Sequence, residues 1–134
     1  MQRKFFLDEN VMPIVADALS RLFKDHRFVT AKSAGLLDVK DVPLFYDLRD
    51  RDIDAIITQD LAQLSNDAER QALRECNLHH IGFVMPKASG QRMAGAQMAT
   101  LALAIPEVLE QWADQPTSYL IRPANLGSFE ISRI

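Results

Sequence analysis

Residues 54–60 read Asp-Ala-Ile-Ile-Thr-Gln-Asp. The apolar run Asp54–Thr58 shows no alternation, which is the pattern of a strand buried on both faces of a parallel sheet. Asp60 follows just past its end. Upstream, Lys4–Leu7 reads as a first strand ended by Asp8-Glu9-Asn10. Asn10 has the chemistry of a helix N-cap, and Pro13 is tolerated in a first turn. Val11, Ile14, Val15, Ala18, Leu19, Leu22 and Phe23 recur at helical spacing, predicting a helix over about Val11–Lys24. Arg27–Ala31 reads as a second strand. After a loop with Gly35, Asp41 caps a second helix to about Arg51, with Pro43 in its first turn.

Downstream, Leu61–Cys76 is polar and helical with a break at Ser65–Asp67, and His79–Met85 reads as a fourth strand. Ser89 and Gly90 open a long Ala/Met/Leu-rich helix to about Asp114, kinked or restarted at Pro106. In the tail, Ser118–Arg122 and Ser128–Arg133 alternate around Pro-Ala-Asn-Leu-Gly, the pattern of a hairpin or edge strand.

Strand and helix alternate four times, so the chain reads as one α/β domain, residues 1–134, with a mainly parallel sheet. Right-handed crossovers are expected. Sheets of this kind bind ligands beyond the carboxyl ends of their strands, at the point where strand order reverses. Asp8, Asp41 and Asp60 all belong to that edge. Crowded carboxylates repel unless a cation is present, and hard oxygen donors suit Mg²⁺ or Mn²⁺. An ion held there can activate water and balance charge on a phosphodiester. The plainer reading stands beside this one: aspartates at strand-to-helix turns also serve as caps.

Composition sets outer bounds. At 134 residues with 48% hydrophobic content, the chain can bury about two thirds of its unfolded surface without staples. Its single cysteine, Cys76, excludes an internal disulfide and a Cys-rich zinc site. No apolar run reaches the length of a membrane span. The opening MQRKFFLDEN meets charge too early for a secretory leader, so a cytoplasmic protein without membrane contact is expected. The net charge of −3 and pI near 5.5 do not advertise nucleic-acid binding. Such a role has to rest on local cations or on metal.

Three blocks resemble one family. FFLDENVMPIVADAL is similar to the opening of the PIN-like toxins, whose first strand ends in Asp-Glu-Asn before an apolar helix. SAGLLDVKDVPLFYDL resembles their second block, and DAIITQD their third, an apolar strand ending Thr-x-Asp. The blocks occur in order across residues 4–64. The resemblance implies a three-layer α/β/α PIN-like fold with a C-terminal strand or hairpin. It also implies a Mg²⁺- or Mn²⁺-dependent endoribonuclease of the VapC-like kind, the toxin of a toxin–antitoxin pair, with an RNA substrate and a small antitoxin partner.

By position, Asp8, Asp41 and Asp60 then hold the metal and carry catalysis. Thr58 orients Asp60 through its hydroxyl, and Asn10 caps the helix. There is one departure. Members often read Thr-x-Asp-x-Asp-Phe, whereas here Thr58-Gln59-Asp60 is followed by Leu61-Ala62-Gln63. Asp67 or Glu9 is the candidate replacement for the missing carboxylate.

Arg70 and Arg74, four apart on one helix face, with Lys87 and Arg92, are candidates for gripping phosphates. A solvated mixed-charge face is the alternative. His79 and His80 should point to opposite sides of their strand. The stripe Met93, Met98, Leu101, Ile105, Leu109 and Trp112 reads as core or as a homodimer contact. Two further readings compete with the nuclease: a PIN-like domain that binds RNA or protein without cutting, and a phosphoacceptor receiver domain. The second fits poorly, since its Lys-Pro appears here reversed as Pro86-Lys87.

Overall fold

The computed structural model describes residues 1–85, 87, 89–123 and 131–133. Five strands, β1 (Lys4–Leu7), β2 (Arg27–Thr30), β3 (Ala55–Thr58), β4 (His79–Phe83) and β5 (Ser118–Ile121), form one sheet in the order β2-β1-β3-β4-β5. Every neighbouring pair is parallel. The helices are α1 (Pro13–Leu22), α2 (Ala31–Ala34), α3 (Asp41–Asp50), α4 (Ala62–Ser65), α5 (Asp67–Glu75) and α6 (Gly90–Glu110).

The sheet divides the core. Phe5, Leu7, Ala55, Ile57, Ile81 and Phe83 face α1 and α6, packing on Val15, Leu19, Leu101, Ile105 and Val108. Phe6 and Ile56 face the other way, onto Leu44, Phe45 and Leu48 of α3 and Ala72 and Leu73 of α5. This is the three-layer arrangement that the family resemblance implies. All four residues of β3 are buried, as its unbroken apolar pattern requires.

Strand order reverses between β1 and β3. The chain steps from β1 outward to β2, then returns past β1 to β3 and continues to β4 and β5. α1 and α6 share a face, yet β1→β2 and β4→β5 step in opposite directions. The near-universal right hand therefore fits three crossovers, and β4–α6–β5 takes the other. The uniform right-handedness expected from sequence is corrected at that unit, where a second helix must roof the face that α1 covers only in part.

Other expectations shift. Asn10 is not an N-cap: α1 starts at Pro13 with Met12 in the cap position. The Asn10 side chain is engaged across the sheet edge instead. Asp41 is the first residue of α3, with Lys40 before it and no side-chain cap. α6 runs unbroken through Pro106, with Leu101, Ile105 and Val108 buried on both sides of it. The Met/Leu/Trp stripe is core: Leu101 and Ile105 are buried, and Met93, Met98, Leu109 and Trp112 pack against the same cluster. β5 is an edge strand parallel to β4. In the second tail segment, Ser128–Arg133, the first three residues lie outside the described ones. The short α2 has no counterpart in the sequence reading; it is closed by a Thr30/Ser33 capping box and Gly35 at φ +71°. No helix among the described residues is long and apolar enough to cross a membrane.

Candidate functional site

β1 and β3 end side by side at the reversal point, and one hydroxyl ties together the turns beyond the two strand ends. Thr58 is fully buried. Its Oγ1 donates to Asp8 Oδ2 at 2.8 Å and accepts from Asn10 Nδ2 and the Asp60 N–H, both at 3.0 Å. One donor and two lone pairs are all a hydroxyl has, so Thr58 is saturated. It fixes both the Asp8 carboxylate and the backbone that presents Asp60. Asn10 completes the clasp: its Oδ1 accepts from the Gln59 N–H at 2.9 Å, and its carbonyl accepts from Gln59 Nε2 at 2.7 Å. Asp60 Oδ1 accepts from the Ala62 N–H at 3.0 Å, and among the described residues its second oxygen meets no hydrogen-bond donor.

Asp8, Asp41 and Asp60 border one cleft of about 410 Å³, with Glu9, Asn10, Asp38 and Lys40. The topology thus brings all three sequence-predicted aspartates to one place. Glu9 lies in the same wall, but its carboxylate accepts from the Asp38 N–H and holds that loop, where Asp38 takes φ +60°. Asp67 is exposed in the first turn of α5 and does not border the cleft.

Sequence reasoning missed Glu69. It sits in the first turn of α5, where Asn66 Oδ1 caps its N–H at 3.0 Å. Partial burial, then hydrogen-bonding reach to Asp41, then the charges of Asp41 and Asp60 push its carboxyl above the usual range. Glu69 therefore lies close enough to feel two of the three aspartates, though it does not itself border the cleft. In sequence it looks like any acid of a solvated helix.

The donor set is carboxylate oxygen alone, the chemistry of Mg²⁺ or Mn²⁺. Among the described residues no three ligand side chains already close on one point. The carboxylates border the cleft, as mutual repulsion demands. An ion bound there would have to keep several waters and take few protein ligands.

The two histidines separate as alternation predicts. His79 lies on the α6 side, 4.2 Å from the Trp112 ring centroid, with the Thr117 N–H donating to its Nδ1 at 3.1 Å. His80 points to the α3/α5 side and is 2% exposed. Burial pushes its basicity down, against the opposing influence of the nearby Asp60 and Asp8. Among the described residues neither ring nitrogen makes a hydrogen bond of ordinary geometry, although the Asp60 backbone lies near enough to favour the charged ring. Gly82 makes room there, since a Cβ would stand 2.5 Å from Leu61 Cδ2 and 3.0 Å from His80 Cε1. Arg70 and Arg74 lie on α5 and do not border the cleft. Lys87 and Arg92 are exposed before and at the start of α6.

The raised Glu69 carboxyl gives a pH test. A folded pKa above the unfolded one stabilises fully below the unfolded value, and that stability is lost as pH rises through the folded value. Metal-free wild type should lose thermal stability as pH climbs from the ordinary carboxylate range. Glu69→Gln should lose less and melt higher at neutral pH. Melting curves in EDTA between pH 4 and 8 that run parallel for the two proteins would contradict this.

A model of the PIN-like domain family matches residues 3–86, well over half of the chain and all of β1 to β4. No curated protein and no solved structure matches.

Proposed function

The chain belongs to the PIN-like domain family, and from that premise we propose that it is a metal-dependent endoribonuclease, the toxin of a toxin–antitoxin pair. The observation that carries this reading is the junction of Asp8 and Asp60 through Thr58 at the reversal point of the sheet, with Asp41 and Glu69 beside them. Mg²⁺ or Mn²⁺ supplies a water of lowered pKa and countercharge for the phosphodiester. Asp8, Asp41, Asp60 and Glu69 are the residues that would hold it. Thr58 keeps the Asp8 carboxylate pointed and leaves Asp60 one oxygen free. Lys40, on the cleft wall, is a cation within the acidic rim that can meet a substrate phosphate.

The antitoxin is expected to cover this rim with arginines, whose planar fork matches two carboxylate oxygens. A non-cutting binder is the competing reading, favoured by the Ala62 departure and opposed by Glu69. An RNA panel incubated with Mg²⁺, Mn²⁺ or EDTA decides between them. Cleavage should appear only with metal, and either metal should raise the melting temperature by binding the native state. No cleavage of any RNA, with no thermal response to metal, would leave only the binder.

A further inference from the structure

A second cavity, of about 60 Å³, opens on the α5 face beside the start of β5. Its wall includes Arg70, Arg74, His80, Thr117 and Ser118, and no Asp or Glu. In a chain of net charge −3, two guanidinium groups around an acid-free pocket are an inversion of the local charge. Among the described residues neither arginine has an ion-pair partner. Arg70 Nη1 donates to the Leu64 carbonyl at 3.2 Å and Arg74 Nη1 to Gln71 Oε1 at 3.3 Å, which leaves most of their N–H groups unused.

His80 is the second, independent observation. It is buried and lines this cavity, and among the described residues neither ring nitrogen makes a hydrogen bond of ordinary geometry, although the Asp60 backbone lies near enough to favour the charged ring and leaves one nitrogen for a ligand. Such an orphan is uncommon in a folded core and calls for a ligand or a water. The volume is several times the roughly 10–15 Å³ that one water needs.

We propose that this pocket binds a terminal phosphate, taking N–H donors from Arg70, Arg74 and one nitrogen of His80. A monoester presents three free oxygens to these three side chains, and only one ester link has to leave the pocket. A diester has two links to accommodate in the same small space. Thr117 and Ser118 add hydroxyls to the wall.

One consequence rests on the nuclease reading. Glu69 and Arg70 are consecutive on α5, and Arg74 lies four residues, about 6 Å, further along. A strand held by its 5′-phosphate in this pocket would pass the acidic cleft within its first nucleotides and be cut close to that end.

The test is binding in EDTA, which separates it from cleavage. Two oligoribonucleotides, identical except for a 5′-phosphate or a 5′-hydroxyl, are titrated into the protein. Inorganic phosphate is titrated separately while the ¹⁵N resonances of the His80 ring are followed. The phosphorylated strand should bind at least about tenfold more tightly. Arg70→Gln/Arg74→Gln, both at exposed positions, should erase that difference with an unchanged melting temperature. Phosphate should shift the His80 ring signals. Equal binding of the two strands with an unmoved His80 would overturn the site. A shift with phosphate but equal strand binding would overturn the terminal-phosphate assignment and leave a site for free phosphate. If the protein cleaves no RNA yet still prefers the phosphorylated strand, the nuclease reading fails and this one stands.

Discussion

Asp8→Asn should lower metal-dependent RNA cleavage on the order of a thousandfold, about 4 kcal/mol of transition-state stabilisation, while the protein melts within a few degrees of wild type. Asparagine has the shape of aspartate, so the turn after β1 can keep its course. What changes is one charge and one acceptor. Asp8 accepts from Thr58 Oγ1 at 2.8 Å and from the Glu9 N–H at 2.9 Å, and an amide can satisfy only one of these through oxygen. The cost is one hydrogen bond, about 0.5–1.5 kcal/mol. Relief of repulsion from Asp41 and Asp60 offsets it in the absence of metal. The thermal response to Mn²⁺ should shrink accordingly. Asp17→Asn, at an exposed position of α1 outside the cleft, is the matched control and should cleave as wild type does. Activity within tenfold of wild type for Asp8→Asn would remove this carboxylate from the site.

The largest effect on stability should come from Phe5→Ala, about 3–5 kcal/mol. Phe5 is fully buried on β1, the strand paired on both sides by β2 and β3. Its ring stacks on Phe28 with centroids 4.9 Å apart and meets Trp112 edge-on at 6.1 Å. Truncation therefore opens a cavity in the layer that joins β1, β2 and the end of α6. Domains of this kind hold about 5–15 kcal/mol in total, so the variant should sit near the edge of folding. Urea unfolding followed by the emission of Trp112, the chain's sole tryptophan, measures the change directly. Phe23→Ala is the comparison: Phe23 is only partly buried and meets Phe28 at 6.2 Å in a tilted pair, and it should cost far less. A loss below about 1 kcal/mol for Phe5→Ala would mean that this layer repacks freely.

The strands and the main helices were legible because their signals are local. The run Ala55–Thr58 is apolar throughout because the strand is covered on both faces, and α1 shows its period because one side of it packs on the sheet. Asp8 and Asp60 could be paired from sequence because both terminate strands, and parallel strands end on one edge. Asn10 misled for a physical reason. An Asx side chain before an apolar helix has the same chemistry whether it caps that helix or crosses to the next strand, and only the β1–β3 pairing decides. Glu69 was invisible because what sets it apart is the approach of α5 to α3, a tertiary event that leaves no period behind. The direction of β5 followed from α6, which carries the chain back across the sheet so that the last strand must run parallel to its neighbour. The tail's alternation says nothing of that.

The reversed hand of β4–α6–β5 also orders the birth of the fold. Everything up to β4 leaves the ribosome first, and with it the whole α3/α5 side of the sheet becomes complete. The opposite side then has α1 alone. Phe5, Leu7, Ile57, Ile81 and Phe83 wait for Leu101, Ile105 and Val108. Synthesis at about 5–20 residues per second makes that interval a matter of seconds. The acidic cleft belongs entirely to the part made first, whereas the greasy half-sheet is closed by the part made last. A nascent chain therefore completes its acidic cleft before it covers its apolar half-sheet, and whatever guards it in that interval must hold the bare side of the sheet rather than the cleft.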